Sequence, residues 1–136
     1  MIETGLKDRV VVVTGGAAGI GKATALRFGE EGAKVAVWDV NDAGTDDLMN
    51  EIANAGGEAA FHKVDVSDSA AVTEAMQAVR DRWGRVDSVV NNAGIVRDSQ
   101  LVKYKEGSVV SMMTDEAWDA VIGVNLKGYF NYNKAA

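Results

Sequence analysis

Two rhythms of apolar residues take turns along this chain. Residues 9–14 read Arg-Val-Val-Val-Val-Thr, the unbroken run of a strand covered on both faces. Gly19–Glu31 places Ile20, Ala23, Thr24 and Phe28 at helical spacing, with Gly32 as its stop. The alternation then repeats. Lys34–Asp39 reads as a strand, and Asp42–Asn54 as a helix closed by Gly56-Gly57. Glu58–Asp65 reads as a strand, and Asp68–Trp83 as a helix entered through Ser67 and ended by Gly84. Val86–Asn91 is a fourth strand. Residues 92–113 read mostly as loop, too long for a plain connector and therefore expected to cover a site. Asp115–Lys134 is a final helix with Thr114 as its N-cap.

Strands that alternate with helices through short connections imply a parallel sheet with helices on both faces. Right-handed crossovers favour the strand order 3-2-1-4. The expected fold is α/β, a Rossmann-like three-layer α/β/α arrangement with a partial doubly wound sheet. It forms one domain over residues 1–136 and ends after the helix that follows the fourth strand.

Gly15-x-x-x-Gly19-x-Gly21 joins the valine strand to the first helix. The first glycine allows a tight turn, the second a close backbone approach to a pyrophosphate, and the third close helix–strand packing. The helix N-terminus then offers free amides to phosphate. Gly16-Ala-Ala-Gly-Ile-Gly21-Lys22 also follows a triphosphate-binding loop up to its last position, where Ala23 replaces the Ser or Thr that would hold Mg²⁺. Triphosphate hydrolysis is therefore disfavoured, and Lys22 is expected to be a solvated residue. Asp39 ends the second strand, 18 residues after Gly21. A carboxylate there accepts hydrogen bonds from a ribose hydroxyl pair and repels the additional phosphate of NADP. Asn41 competes with it as a helix cap. Ala17 and Ala18 offer no arginine to that phosphate, so NAD(H) is expected in preference to NADP(H).

Thr14-Gly15-x-x-x-Gly19-Ile20-Gly21, Asp65-Val66, Asn91-Asn92-Ala93-Gly94 and Asn125-Leu126-Lys127-Gly128 occur in order. With these four motifs the chain resembles the short-chain dehydrogenase/reductase family, and looks most like its 3-oxoacyl-acyl-carrier-protein reductase branch. The resemblance implies a cofactor site that includes Gly15, Ala18, Gly19, Ile20, Gly21, Asp39 and Val40. It implies Asp65 and Val66 at the adenine, with Asn91, Ala93 and Gly94 beneath the adenosine ribose. Asn125 corresponds to the family's asparagine that organises a proton-relay water. It shares an expected helix face with Trp118, Val121, Ile122 and Tyr129, where a structural role is the competing reading. The family's Tyr-x-x-x-Lys pair is not found in residues 1–136. Tyr104, Tyr129 and Tyr132 are followed at that spacing by Ser108, Asn133 and Ala136. The segment Lys103–Ser111 is longer than the usual family loop. The implied function is the NAD(H)-binding N-terminal part of an oxidoreductase that moves hydride between nicotinamide and a carbonyl or alcohol. This chain is expected to be catalytically incomplete, with substrate bound only if the other half is supplied. The alternative is a non-catalytic or engineered dinucleotide-binding scaffold.

Composition narrows the partners. The chain has 136 residues and a net charge of −6, which opposes nucleic acid. It has no cysteine and one histidine, so disulfide frameworks, thiolate sites and multi-histidine metal sites are not expected. No apolar run reaches the length of a membrane span and the N-terminus is unlike a signal peptide, so a cytoplasmic location is the expectation. His62 is read as a non-ligand, and Trp83 and Trp118 as packing residues. Tyr129, Phe130 and Tyr132 read as a sticky aromatic cluster. An open fourth strand and an unsupported last helix lead us to expect a homodimer or higher oligomer.

Overall fold

A computed structural model describes residues 3–136. The strands are β1 (Val10–Thr14), β2 (Lys34–Asp39), β3 (Glu58–Lys63), β4 (Ser88–Val90), β5 (Val102–Lys105) and β6 (Ser108–Met112). The α-helices are α1 (Gly19–Glu30), α2 (Thr45–Ala55), α3 (Ser69–Trp83), α4 (Asp115–Ile122) and α5 (Gly128–Ala135), with a π-helical turn at Gly123–Lys127 between the last two. The main sheet is parallel in the order β3-β2-β1-β4, as the alternation predicts.

Each central strand feeds two cores, which is why its sequence does not alternate. Val10 and Val12 join Ala36, Trp38, Val72, Met76, Val79 and Tyr132 on the face covered by α3 and α5. Val11 and Val13 join Ala25, Val35, Val37, Leu48 and Ile52 beneath α1 and α2. All four valines are fully buried, a contribution of roughly 1.5–3 kcal/mol for each side chain. At the amino end of the sheet, the Asp87 carboxylate accepts from the Val10 amide at 2.8 Å. That bond, with Arg85 and Arg9 nearby, holds its carboxyl below the usual range.

Several expectations are corrected. Residues 92–113 are mostly loop as expected, but not throughout: β5 and β6 form an antiparallel hairpin within them. Its two-residue turn places Glu106 and Gly107 at φ 52° and 82°, the left-handed pair that matches strand twist. β3 ends at Lys63, short of Asp65, and β4 spans only Ser88–Val90 within the expected Val86–Asn91. Helix α3 is capped by Asp68, whose carboxylate accepts from Ala70 and Ala71, and not by Ser67. Ser67 instead donates to Asp65. Helix α2 starts after Gly44 with no side-chain cap, while Asn41 accepts from the Ala43 amide in the preceding turn. Lys22 stays at the surface as expected, where it pairs with Glu51 at 3.2 Å. Thr114 caps α4 as expected, through the Ala117 amide.

The final helical span is interrupted by its π turn, which shifts the faces of α4 and α5 relative to each other. Tyr129 therefore turns toward the core, 5.7 Å from the Tyr132 ring, and leaves the Trp118 face. Phe130 points outward under Lys134, so the aromatic trio is divided. Trp118 is 56% exposed and is not a packing residue, whereas Trp83 packs on the core and donates to Glu58. Tyr132 is fully buried and Arg80 donates to the Ala135 and Ala136 carbonyls, so α5 is tied down without a following strand. None of the described helices is long and apolar enough to cross a membrane.

Candidate functional site

The carboxyl ends of β1 and β4 are joined by one hydroxyl. Thr14 Oγ1 donates to the Val90 carbonyl at 3.1 Å and accepts from the amides of Asn92 and Ala93 at 3.1 and 3.0 Å. Asn92 completes the junction. Its Nδ2 donates to the carbonyls of Thr14 and Gly15 at 3.0 and 3.1 Å. The glycine turn is thereby fixed against the Asn-Asn-Ala-Gly segment.

Gly15 has φ 62°, and a Cβ there would come within 3.0 Å of the Ala93 Cα. A Cβ on Gly21 would lie 2.0 Å from the Gly15 carbonyl oxygen, so the helix start admits no side chain. Gly16 N–H then ties the turn to the Trp38 carbonyl at the end of β2. Helix α1 begins without a side-chain cap. Its first amides are left for a ligand or solvent.

Asp39 is held rigidly. One carboxylate oxygen accepts from the Ala17 amide at 3.1 Å and the other from the Asn41 amide at 3.0 Å. Asp65 accepts from both the amide and the hydroxyl of Ser67, at 2.9 and 2.6 Å. Asn131 donates to the Val66 carbonyl at 2.9 Å and fixes that wall from α5.

Gly15, Asp39, Val40, Asp65, Val66, Ala93 and Gly94 line one cavity of about 230 Å³, together with Asn92, Val64, Ile95 and Val124. Two carboxylates and no lysine or arginine face it. The expected residues Ala18, Gly19, Ile20 and Gly21 lie on the adjoining turn and first helical residues, outside its lining, with Ile20 80% exposed. Asn91 is also outside it, and its side chain faces Asn133 at 3.5 Å.

Asn125 sits in the π turn and lines a neighbouring cleft of about 410 Å³ with Ile95, Trp118, Val121 and Ile122. Both polar atoms of its side chain are bonded: Oδ1 accepts from Ile95 N at 2.8 Å and Nδ2 donates to Ile95 O at 2.9 Å. Both partners are backbone, so this amide locks the strand-to-loop exit between the two cavities. Burial pushes the Tyr132 hydroxyl up to about 12, away from the range of a proton donor at neutral pH. Its hydroxyl has no hydrogen-bond partner. Among the described residues no group of histidine and acidic side chains is placed to hold a metal.

Sequence reasoning assigned no role to Thr14 or Asn92. The signal was available in the strand order, because neighbouring β1 and β4 bring their carboxyl ends together.

A family model described as short chain dehydrogenase matches residues 9–136. The chain belongs to this family. It is 43% identical over 126 residues to the 3-oxoacyl-[acyl-carrier-protein] reductase FabG of Thermotoga maritima, covering 93% of this chain and 48% of that protein. It is 37% identical over 126 residues to the (2S)-[(R)-hydroxy(phenyl)methyl]succinyl-CoA dehydrogenase subunit BbsD of Thauera aromatica, covering 93% and 47%. A crystal structure of the NADH-dependent reductase A1-R′ complexed with NAD superposes with a TM-score of 0.83 at 26% identity, over 99% of this chain and 53% of that one. The chain thus spans about half the length of these family members.

Proposed function

We propose that residues 1–136 are the dinucleotide-binding half of a short-chain dehydrogenase/reductase and take NAD(H) in preference to NADP(H). The observation that carries this reading is Asp39, whose carboxylate is anchored by Ala17 and Asn41 in a cavity without a cation. An anchored carboxylate suits a ribose diol and repels a phosphate. The uncapped start of α1 and the glycine turn fit a pyrophosphate. The wall formed by Asp65, Val66, Ala93 and Gly94 suits the adenosine end.

Bound dinucleotide would supply the hydride chemistry. The activity of the whole protein, exchange of hydride with a carbonyl or alcohol, is the part of the proposal supported by relatives named as reductases and dehydrogenases. Asn125 is read as a positioning residue that acts through Ile95. The 136-residue chain is expected to bind without turnover, because it contains no Tyr-x-x-x-Lys pair. Self-association is also proposed, on the grounds that β4 is paired on one side only and Leu126 and Phe130 remain exposed.

Fluorescence titration with NADH and NADPH tests the cofactor reading. NADH is expected to bind more tightly, and Asp39→Ala to narrow the difference. Equal or tighter NADPH binding by the unmodified chain would overturn the preference. A steady decrease of NADH with a reactive ketone would overturn the expected lack of turnover.

A further inference from the structure

Asp39 and Lys63 are register partners at the carboxyl ends of β2 and β3. Partners in register put their side chains on the same face of the sheet, with the strands about 4.8 Å apart. The Val64 amide donates to the Asp39 carbonyl at 3.0 Å, so the two strand ends stay together. Lys63 thus carries its ammonium, on a flexible four-carbon stem, beside the carboxylate assigned above to the ribose diol. The ammonium does not go to that carboxylate. Both Asp39 oxygens accept from backbone amides, those of Ala17 and Asn41. Lys63 Nζ donates instead to Asp42 Oδ2 at 3.1 Å. Asp42 is itself anchored, because its carbonyl accepts from the amide and the hydroxyl of Thr45 at 3.3 and 2.8 Å. The hydrogen bond from Lys63, and then its charge, hold the Asp42 carboxyl below its usual range.

We propose that Asp42 and Lys63 are specificity-determining residues of the cofactor site: Asp42 holds the Lys63 ammonium away from the ribose edge and so withholds a cation that would otherwise pair there with a 2′-phosphate. The inference rests on the reading of Asp39 as the ribose contact and adds a second layer to it. Asp39 alone repels the phosphate. A lysine released beside it would offset that charge and offer donors to phosphate oxygens. Neither Asp42 nor Lys63 lines the cavity, so both act from outside its wall. Discrimination between the two dinucleotides therefore depends on where a surface lysine is anchored as well as on the carboxylate it neighbours.

Fluorescence titration with NADPH and NADH at fixed ionic strength, on the parent and a double-mutant cycle, tests this. Asp42→Ala is expected to tighten NADPH binding about five-fold and to change NADH binding by less than about two-fold. Adding Lys63→Met is expected to return NADPH binding to the parent value. Asp81→Ala removes the same charge from α3, on the other face of the sheet, and is expected to leave the ratio of the two affinities unchanged. An Asp42→Ala chain with the parent's ratio would overturn the proposal. So would a gain that persists with Lys63→Met, or one that Asp81→Ala reproduces, because either would be a long-range effect of net charge. The parent titration judges the cofactor reading separately. NADH bound in preference with no coupling between Asp42 and Lys63 removes only this inference, whereas a parent that binds neither dinucleotide removes both. The Asp42 and Lys63 side chains are each 62% exposed and belong to neither core, so thermal melting near the parent's serves as the folding control. Asp42→Asn, which keeps the side-chain shape, stands in should Asp42→Ala melt early.

Discussion

Thr14 shows how much of this site depends on one small side chain. Its hydroxyl serves three backbone groups where β1 and β4 end. Thr14→Val keeps the shape and the β preference but leaves the Asn92 and Ala93 amides without their acceptor. The expected cost is about 1–3 kcal/mol in urea unfolding, with Thr14→Ser recovering most of it. Loss of NADH binding should accompany it, because Ala93 and Gly94 line the cavity. A Thr14→Val chain as stable as the parent would show that the junction contributes nothing. Neither the threonine nor Asn92 stood out in the sequence as more than part of a motif. Their hydrogen bonds join residues 76 to 79 positions apart, a separation that local pattern does not report.

The elements divide into those with a strong local signal and those whose ends depend on neighbours. Helix α3 closes at Gly84 in the left-handed conformation, as its sequence indicates, but its entry passes from Ser67 to Asp68. The two polar residues are equivalent candidates until the backbone direction is known, and Asp65 then engages Ser67. The hairpin was legible in principle. Val102 to Met112 alternates around Glu106-Gly107, a strand pattern with a turn in its middle. The register irregularity opposite Lys103 and Tyr104 adds Val110 to that pattern and interrupts its alternation. Because the hairpin lies outside both cores, replacing residues 102–112 by a short Gly-Ser link should leave the melting temperature within about 2 °C of the parent. A fall of about 10 °C, more than 1 kcal/mol in a domain of this size, would mean that the hairpin supports the fold.

The molecule as a whole is a sheet between two apolar cores, and its acid sensitivity follows from what the α3–α5 side buries. His62 pairs in register with Trp38, and both of its ring nitrogens are buried without a partner. Burial first, and the Arg82 charge second, hold its pKa below the ordinary value of 6.5. The unfolded chain therefore takes up this proton before the folded one. The stability gained from keeping the ring neutral is present above pH 6.5 and is lost as pH falls below it. Glu58, held low by the Trp83 indole and then Arg82, loses its contribution only further down, below its ordinary 4.5. Melting temperature should thus decline between about pH 6.5 and 5 in the parent and stay flat there in His62→Leu. A parallel decline in both would remove His62 from the account.

The sequence by itself determined the four-strand alternation, the order 3-2-1-4, the glycine turn and the carboxylate at the end of β2. These are features written in short-range periodicity and in residues whose backbone freedom or charge is unusual. Only the tertiary structure decided which of the expected residues share a cavity, that Asn91 turns away from it, and that the Asn125 side chain bonds the Ile95 backbone. It also decided that the last helix is broken by a π turn and divides its aromatic residues between core and surface. Each of these outcomes depends on where a side chain finds its partner across the sheet. Such contacts are set by the packing of distant segments, and no local pattern encodes them.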